Sequence, residues 1–421
     1  MRSDISGFYK LSPEKRRETL KEETSLTEED MDKLEDFGAL GEKDANDMVE
    51  NVVGAHPLPL GIATNLRVNG EDYLVPMAVE ETSVVAACSY GAKLARKNGG
   101  VEAETTAPEM IGQIQVNGVE SFEEFSKTIK ENEERLIDEA NAADETLVKF
   151  GGGVKEIEVR DIDKDKTAVL HLIVDVRDAM GANTVNTMCE TVAPTIEKLT
   201  DAETNLRIIS NLADRRLARA EVEFSFDSLE REEMSGKEVA ESIVDASKFA
   251  EADPYRAATH NKGVMNGMDA VCIATGNDFR ALEAGVHAYA ARRGQYEPVT
   301  EWWIEDGKLK GRIEVPVAVG TVGGITSVHP TAEISQKILD VESSQELAEV
   351  MASVGLLQNF AALRALATEG IQKGHMKLHA KNIAKQGGAE GKEIEEVARK
   401  MVEEDNISQS RAETILEELR G

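Results

Sequence analysis

The spacing of apolar residues divides the chain into helical and strand-forming stretches. Ser12-Pro13-Glu14 has the sequence of a helix start, a capping side chain followed by proline at the first helical position. Thr27-Glu-Glu-Asp30 opens a second helix. Residues 63–79 are typical of a β-hairpin that turns at Asn69-Gly70, and a helix is predicted from about Ser83.

The pattern changes at about residue 107. Strand-like and helical segments alternate from there to about residue 213, which predicts an α/β module of about 100 residues. The strand-like segments are 111–118, 154–162 and 167–177, and the helical segments are 123–143 and 183–199. A further strand begins near residue 215, and mixed helix and strand continue to about residue 370.

The C-terminal tail has the pattern of two amphipathic helices. Ile394, Val397, Met401 and Val402 fall at helical spacing, and Ser410-Arg-Ala-Glu413 is expected to cap the second helix. Gly387-Gly388 precedes both and is a plausible hinge. The tail therefore looks like a small mobile lid, although a docked helical pair without function is at least as common.

Composition limits the classes of function. The chain has 421 residues, enough for two or three domains, and a formal net charge of −31. This acidity argues against nucleic acids and anionic membranes as partners. It indicates either adaptation to a salty cytosol or an ordinary solvated surface.

The sequence indicates a cytoplasmic protein. Its three cysteines, Cys88, Cys189 and Cys272, form no CxxC pair, so we expect a reducing compartment. We find neither a signal-peptide core nor an apolar run of the roughly 20 residues that a membrane-spanning helix needs. The motifs GxGxxG, GxxxxGK[ST], HExxH and GxSxG are also absent.

The segment from His260 to Asp278 carries the most specific chemistry. It is expected to place Lys262 and Asp278 in two Gly/Asn-rich turns separated by a short apolar run. A lysine in such a turn can stabilise a developing oxyanion. Taken alone, however, Lys262 would more often be a solvated surface residue, and Asp278 would most often be the N-cap of the helix that follows.

Four segments together closely resemble class II 3-hydroxy-3-methylglutaryl-CoA (HMG-CoA) reductases. The resemblance runs from about residue 8 to about residue 385, with matching motif order and spacing. It implies reduction of a thioester by two hydrides to mevalonate, with release of CoA. The four segments are 50–54 with 76–87, 178–186, 260–278 and 374–384.

The resemblance implies four catalytic residues, Glu81, Lys262, Asp278 and His375. The lysine would stabilise the oxyanion, and the histidine would protonate the departing CoA thiolate. Glu81 or Lys262 could supply a proton to the final alkoxide. Asp278 would keep the lysine charged and couple its proton affinity to that of Glu81. His375 could instead ligate a metal with His379, but no third ligand accompanies them, and we expect no metal.

Substrate contacts also carry over from the family. Ser83, Arg256 and Asn266 match positions around the hydroxymethylglutaryl group, where an arginine suits the terminal carboxylate. The family's N-terminal segment has an arginine that helps to hold CoA. This chain has Tyr9 at that position, and Lys10 could substitute for the arginine.

The cofactor contacts are expected in the module of residues 107–213. The DAMGAN loop, residues 178–183, leaves a strand and opens a helix at Asn183. This geometry offers backbone N–H groups to a pyrophosphate. Taken alone, the same sequence would more often be an ordinary strand-to-helix turn. The candidates are Asp178, Met180, Asn183 and Asn211. Asp144 matches a position where a carboxylate accepts from a free ribose 2′-hydroxyl, so NADH is favoured over NADPH.

The predicted fold class is α+β: a large substrate domain, an inserted small non-Rossmann nucleotide-binding domain and a C-terminal helical flap. The expected boundaries are 1–106 and 214–374 for the large domain, 107–213 for the small domain and 375–421 for the flap. The family implies active sites between subunits, in a homodimer or a trimer of dimers. Two alternatives stay open: the reverse reaction in mevalonate degradation, and a non-catalytic assembly protein that retains the fold.

Overall fold

The computed structural model describes residues 4–8, 11, 13–35, 40–48, 56–162, 166–231, 234–368, 380–404 and 406–420. Its strands are β1 (Leu60–Val68), β2 (Glu71–Ala78), β3 (Val101–Thr105), β4 (Glu109–Asn117), β5 (Gly153–Asp161), β6 (Thr167–Asp175), β7 (Glu203–Ser210), β8 (Leu217–Ser225), β9 (Thr300–Glu305) and β10 (Lys308–Pro316).

The helices before the tail are α1 (Pro13–Glu23), α2 (Glu28–Glu35), α3 (Glu42–Met48), α4 (Val84–Arg96), α5 (Phe122–Glu131), α6 (Glu133–Asn141), α7 (Glu145–Lys149), α8 (Ala182–Thr200), α9 (Phe226–Leu229), α10 (Gly236–Ala252), α11 (Pro254–Ala274), α12 (Phe279–Ala290), α13 (Pro330–Leu339) and α14 (Ser344–Thr368). In the tail, α15 covers residues 380–386, and α16 (Glu393–Glu403) and α17 (Gln409–Arg420) follow.

The larger of the two sheets has the strand order β2-β1-β3-β8-β10-β9. The β1–β2 hairpin turns at Asn69 and Gly70, both with positive φ, as the sequence predicts. Helices α4, α11 and α14 pack against this sheet and against one another, and their apolar faces form one buried cluster with it. This packing fixes where the exposed face of α11 points.

Helix α14 is the centre of that cluster. It is long and apolar enough to cross a membrane, but 72% of its most apolar 18-residue stretch is buried inside the protein. An apolar helix that is covered on most sides is typical of a protein core.

The second sheet has the order β5-β6-β4-β7, and all of its pairs are antiparallel. Helices α5, α6 and α8 cover one face and share a separate hydrophobic cluster with it. Strands and helices alternate here along the chain, which is why the sequence predicts an α/β module. The antiparallel pairing makes this unit an open-faced α+β layer instead, so the α+β class holds for both sheets.

The tail helices form a small cluster of their own. Every member of this cluster in the described chain lies from Ala380 onward. Helix α16 has the predicted apolar face, with Val397 and Met401 fully buried. The predicted cap of the last helix, Ser410, lies two residues after the observed one. Helix α17 begins at Gln409, and the Ser408 hydroxyl accepts from the Arg411 N–H.

We predict that deleting residues 386–421 leaves the rest of the chain folded. The tail buries its apolar side chains against itself, so the deletion removes few contacts from the two sheets. The truncated protein should be soluble and unfold within about 2 °C of the full-length chain by circular dichroism. Insoluble protein, or a much lower transition, would show that the tail is part of the main core.

Candidate active site

Lys262 lies in the middle of α11, and the expected glycine-flanked turn does not exist. The prediction is wrong because glycine and asparagine are tolerated inside a helix that tertiary packing stabilises. The opposite face of α11 is buried at His260, Asn261, Val264 and Met265. Lys262 therefore projects from the exposed face, with 62% of its side chain accessible.

Glu81 is the partner of Lys262. The turn that joins β2 to α4 brings the Glu81 carboxylate to the exposed face of α11, and Lys262 Nζ donates to Glu81 Oε2 at 3.3 Å. The two residues are 181 positions apart in the chain. The structure therefore unites two of the residues that the sequence proposes as catalytic.

Ser83 follows in the same turn and has an unusual backbone. Its φ of 77° lies in the left-handed region, which a non-glycine residue rarely adopts. Its hydroxyl contacts the Thr82 carbonyl and does not cap α4. Backbone strain of this kind concentrates at functional sites, so Ser83 is a reasonable substrate contact beside Glu81.

Asn266 and Arg256 are also on α11. Asn266 is one turn after Lys262, on the same face of the helix. Arg256 is in the first turn, where burial lowers the pKa of its guanidinium. Within the described chain Arg256 takes part in no ion pair, although acidic side chains outnumber basic ones by 79 to 48. An unpaired arginine in such a protein is suited to an anionic ligand.

Asp278 is the N-cap of α12, which is the simpler of the two roles considered from sequence. Its Oδ1 accepts from the N–H groups of Arg280 at 3.0 Å and Ala281 at 3.2 Å. It also pairs with the Arg280 guanidinium at 3.1 Å. The side chain remains 41% exposed, so it is accessible to a further partner.

Helix α11 separates Asp278 from Lys262 within one chain. Twelve residues of helix lie between Lys262 and the helix end at Ala274, which is about 18 Å at 1.5 Å per residue. The turn after α11 is tight, because the Asn277 N–H donates back to the Cys272 carbonyl. The direct coupling of Asp278 to Lys262 expected from sequence therefore does not occur inside a single chain.

The DAMGAN loop has the geometry expected of an anion-binding helix start. Gly181 is the N-cap of α8, with a φ of 97°, and no side chain caps this terminus. A Cβ at Gly181 would lie 2.5 Å from Val176 Cγ1, so glycine is required. Asn183 lies in the first turn of α8, where the free N–H groups point outward.

Two carboxylates border this loop. Asp144 is the N-cap of α7, and its second oxygen accepts from Thr184 Oγ1 at 2.9 Å, in the first turn of α8. Asp178 Oδ1 accepts from the Ser344 N–H at 2.8 Å, so its side chain faces the start of α14. Met180 follows in the loop and is half-buried.

The loop and Asn211 both lie near α12. The Gly320 N–H donates to Asn277 Oδ1 at 2.7 Å. Gly320 also packs closely on the backbone of the loop, because a Cβ added at Gly320 would lie 2.6 Å from the Met180 nitrogen. The Asn211 carbonyl packs against Gly285 of α12. One chain thus brings its candidate nucleotide contacts to the Asp278 end of α11.

Sequence reasoning missed a carboxyl pair that joins α11 to α12. The carboxyl group of Asp269 in α11 lies beside that of Glu283 in α12. Burial, together with the adjacent Glu283, raises the pKa of Asp269 to about 9. Glu283 is also bonded to His287, which lowers the pKa of Glu283 and raises that of His287, and His287 Nδ1 lies 2.6 Å from the Tyr296 hydroxyl.

Several predicted positions lie outside the described residues. These are His375 and His379, Tyr9 and Lys10, and the segment 50–54. In the part of the chain that the structure describes, no group of three or more His, Cys, Asp or Glu side chains could hold a metal ion.

The comparisons with known proteins identify the family of this chain. The family model for hydroxymethylglutaryl-coenzyme A reductase matches residues 12–380. The 3-hydroxy-3-methylglutaryl-coenzyme A reductase of Archaeoglobus fulgidus is 52% identical, over 100% of this chain and 96% of its own length. A class II reductase from Streptococcus pneumoniae, solved bound to NADPH in open conformations, is 40% identical, with a TM-score of 0.83 over 98% of this chain and 100% of that one.

We predict that Asp269→Asn flattens the dependence of stability on pH. Between the ordinary carboxyl pKa near 4 and about 9, the folded chain keeps the Asp269 proton and the unfolded chain does not. The folded state then binds more protons, so stability falls as pH rises through this window. Asparagine cannot ionise, so the melting temperature of the variant relative to wild type should increase steadily from pH 5 to pH 9.

The control for this prediction is Asp245→Asn, which removes an exposed carboxylate of α10. Its melting curve should run parallel to that of the wild type at every pH. Parallel curves for Asp269→Asn as well would contradict a shared proton between α11 and α12.

Proposed function

The chain belongs to the hydroxymethylglutaryl-CoA reductase family, and on that premise we propose which of its residues carry out each part of the reaction. The reaction is the two-step, four-electron reduction of HMG-CoA to mevalonate and CoA with two NAD(P)H. The observation that supports the assignment best is the Lys262–Glu81 pair, a cation and an acid 3.3 Å apart on an exposed helix face.

Lys262 stabilises the negative charge that develops on the thioester oxygen. An ammonium group serves this role best where water is excluded, because the low dielectric constant strengthens its field. Glu81 holds the ammonium in place and, after taking up a proton from solvent, supplies it to the alkoxide formed in the second reduction. Ser83 and Asn266 flank this pair and orient the hydroxymethylglutaryl group, and Arg256 binds its terminal carboxylate.

His375 protonates the CoA thiolate that leaves when the hemithioacetal collapses. An imidazole titrates close to neutral pH, so it can supply a proton there and be reprotonated from solvent. In the sequence it precedes the tail helices, which we propose form a flap that closes over the site. Closure would exclude the water that now reaches Lys262.

Asp278 reaches Lys262 from a second copy of the chain. Within one chain about 18 Å of helix separates the two residues, yet the Asp278 side chain is 41% exposed to solvent. A two-fold pairing that lays one α11 along another in opposite directions would bring each Lys262 to the other chain's Asp278. We therefore propose a homodimer, or a trimer of dimers, with active sites between subunits.

The unit built on β4 to β7 binds the dinucleotide, and residues 107–213 form this inserted domain. NAD(P)H supplies the hydride in each reduction. The uncapped start of α8 fits its pyrophosphate, and Asp178, Met180, Asn183 and Asn211 surround that position. Since the same loop lies near Asp278, the dinucleotide and Asp278 would enter the shared site from the same subunit.

We propose that NADH is used in preference to NADPH. The Asp144 carboxylate lies beside the first turn of α8, where a negative charge would repel a ribose 2′-phosphate and accept from a free 2′-hydroxyl. The Streptococcus pneumoniae relative binds NADPH, so the preference has to be tested on this chain. The three free cysteines are buried, and we place the protein in the cytoplasm, where thiols stay reduced.

The first test is stoichiometric. Purified protein incubated with HMG-CoA and either reduced nicotinamide should consume two nicotinamides for each CoA thiol released. Absence of consumption with both cofactors would favour a non-catalytic assembly protein.

We predict that two inactive variants restore activity when combined. Lys262→Ala removes the cation and Asp278→Asn removes the carboxylate, so each homodimer should lose nearly all turnover. Mixed dimers keep one complete site, so equal amounts of the two variants, dissociated and reassembled together, should recover about a quarter of wild-type activity. Both variants should first be shown by light scattering to form dimers. If the reassembled mixture then stays inactive, Lys262 and Asp278 of one site come from the same subunit.

We predict that Asp144→Asn increases the use of NADPH. Wild-type protein should have the higher kcat/KM with NADH, and the neutral amide should raise kcat/KM for NADPH about fivefold, as expected when about 1 kcal/mol of charge repulsion is removed. Asp138→Asn, an exposed change on α6 with the same loss of charge, is the control and should leave the cofactor ratio unchanged. An unchanged ratio in both variants would remove Asp144 from cofactor selection.

A further inference from the structure

Arg216 is a buried arginine at the junction of the two sheets. It lies directly before β8, in the segment where the chain passes from the smaller sheet to the larger one, and only 5% of it is exposed. Its Nη1 donates to the Ala179 carbonyl at 3.1 Å. Its Nη2 donates to the Val319 carbonyl at 2.5 Å and to Ser344 Oγ at 3.0 Å. One guanidinium thus contacts the DAMGAN loop, the segment after β10 and the start of α14.

Ser344 extends this contact further into the loop. Its hydroxyl donates to the Arg177 carbonyl at 3.0 Å, and its N–H donates to Asp178 Oδ1 at 2.8 Å. The Asp178 carbonyl accepts from the Thr321 N–H at 2.9 Å. Every residue from Arg177 to Ala179 is therefore hydrogen-bonded to a residue outside the smaller sheet.

The electrostatics of Arg216 are costly for a residue with a purely structural role. It forms no ion pair within the described chain, and burial lowers the pKa of its guanidinium to about 10 while Asp178 and Asp175 act in the opposite direction. It stays charged at neutral pH. Buried charges can often be replaced by apolar side chains without loss of stability, so their retention indicates a need for specific geometry.

From this geometry we infer that Arg216 is a positioning residue, which holds the loop 177–180 against the large sheet and α14 and thereby sets the affinity for the nicotinamide dinucleotide. The inference rests on the proposed function, because it takes this loop as the dinucleotide site. The guanidinium fixes the Ala179 carbonyl, and Ser344 fixes Arg177 and Asp178. The N–H groups at the start of α8 then stay in place for the pyrophosphate.

The test is the kinetics of Arg216→Lys with NADH, NADPH and HMG-CoA. A lysine keeps the charge but cannot reproduce the fork that reaches three acceptors at once. We expect KM for both dinucleotides to rise about tenfold, whereas KM for HMG-CoA stays within about twofold of wild type. Arg219→Lys is the matched control, because Arg219 lies three residues later, on β8, and pairs with exposed Glu104 and half-buried Glu314.

Ser344→Ala provides a second measurement that does not depend on the folding of Arg216→Lys. It removes the hydroxyl between Arg216 and the Arg177 carbonyl and leaves the Ser344 N–H on Asp178. We expect the same selective rise in KM for the dinucleotides, smaller than in Arg216→Lys and less than additive with it. If Arg216→Lys is insoluble, this rise alone supports the inference.

Unchanged dinucleotide KM in Ser344→Ala and in any soluble Arg216→Lys overturns the inference, as does an equal rise in KM for HMG-CoA. Both outcomes leave the proposed function intact, because the wild-type protein and the Arg219→Lys control would still turn over. A wild-type protein that consumes neither cofactor would instead overturn the proposed function itself.

Discussion

The length of α11 constrains the whole active site. A helix of 21 residues is a rigid spacer, and it holds Lys262 about 18 Å from the turn that leads to Asp278. The buried face of α11 packs on α14 and the large sheet, so no local rearrangement shortens that distance. If the reaction needs both residues at one site, we propose that the two come from different chains.

The spacer also divides the site into two groups of residues. Glu81, Ser83 and Asn266 lie near Lys262, in what we propose is the acyl half of the site. The DAMGAN loop and Asn211 lie towards the Asp278 end of α11, in what we propose is the dinucleotide half. Two networks connect these halves to the core: the Asp269–Glu283 pair between α11 and α12, and the contacts of Arg216 behind the loop. Arg216 is buried, whereas Asp269 and Glu283 are half-buried.

Local signals in the sequence predicted the local structure well. The Asn69-Gly70 turn and the Pro13 helix start are correct because each depends on a few neighbouring residues. The helix that contains Lys262 was missed for the opposite reason. Its Gly and Asn residues favour turns locally, and only packing against α14 makes this segment helical.

The same distinction applies to the candidate site. Residue types and motif order were enough to indicate the family, which the comparisons confirm. The pairing of Glu81 with Lys262 and the separation of Asp278 depend on tertiary structure, and the sequence does not contain them in readable form. Arg216 and the Asp269–Glu283 pair were missed because the sequence does not show which charged residues lose contact with solvent or lie beside one another in the fold.

The most direct test of the central claim is a crystal structure of the assembled protein with HMG-CoA bound. The quantity to measure is the distance from Lys262 Nζ to the nearest Asp278 carboxylate oxygen in any copy of the chain. We expect it to be within about 4 Å, with Asp278 contributed by the second copy and Glu81 still beside the lysine. A Lys262 that faces open solvent in the assembled protein, with Asp278 of every copy far from it, would contradict the account.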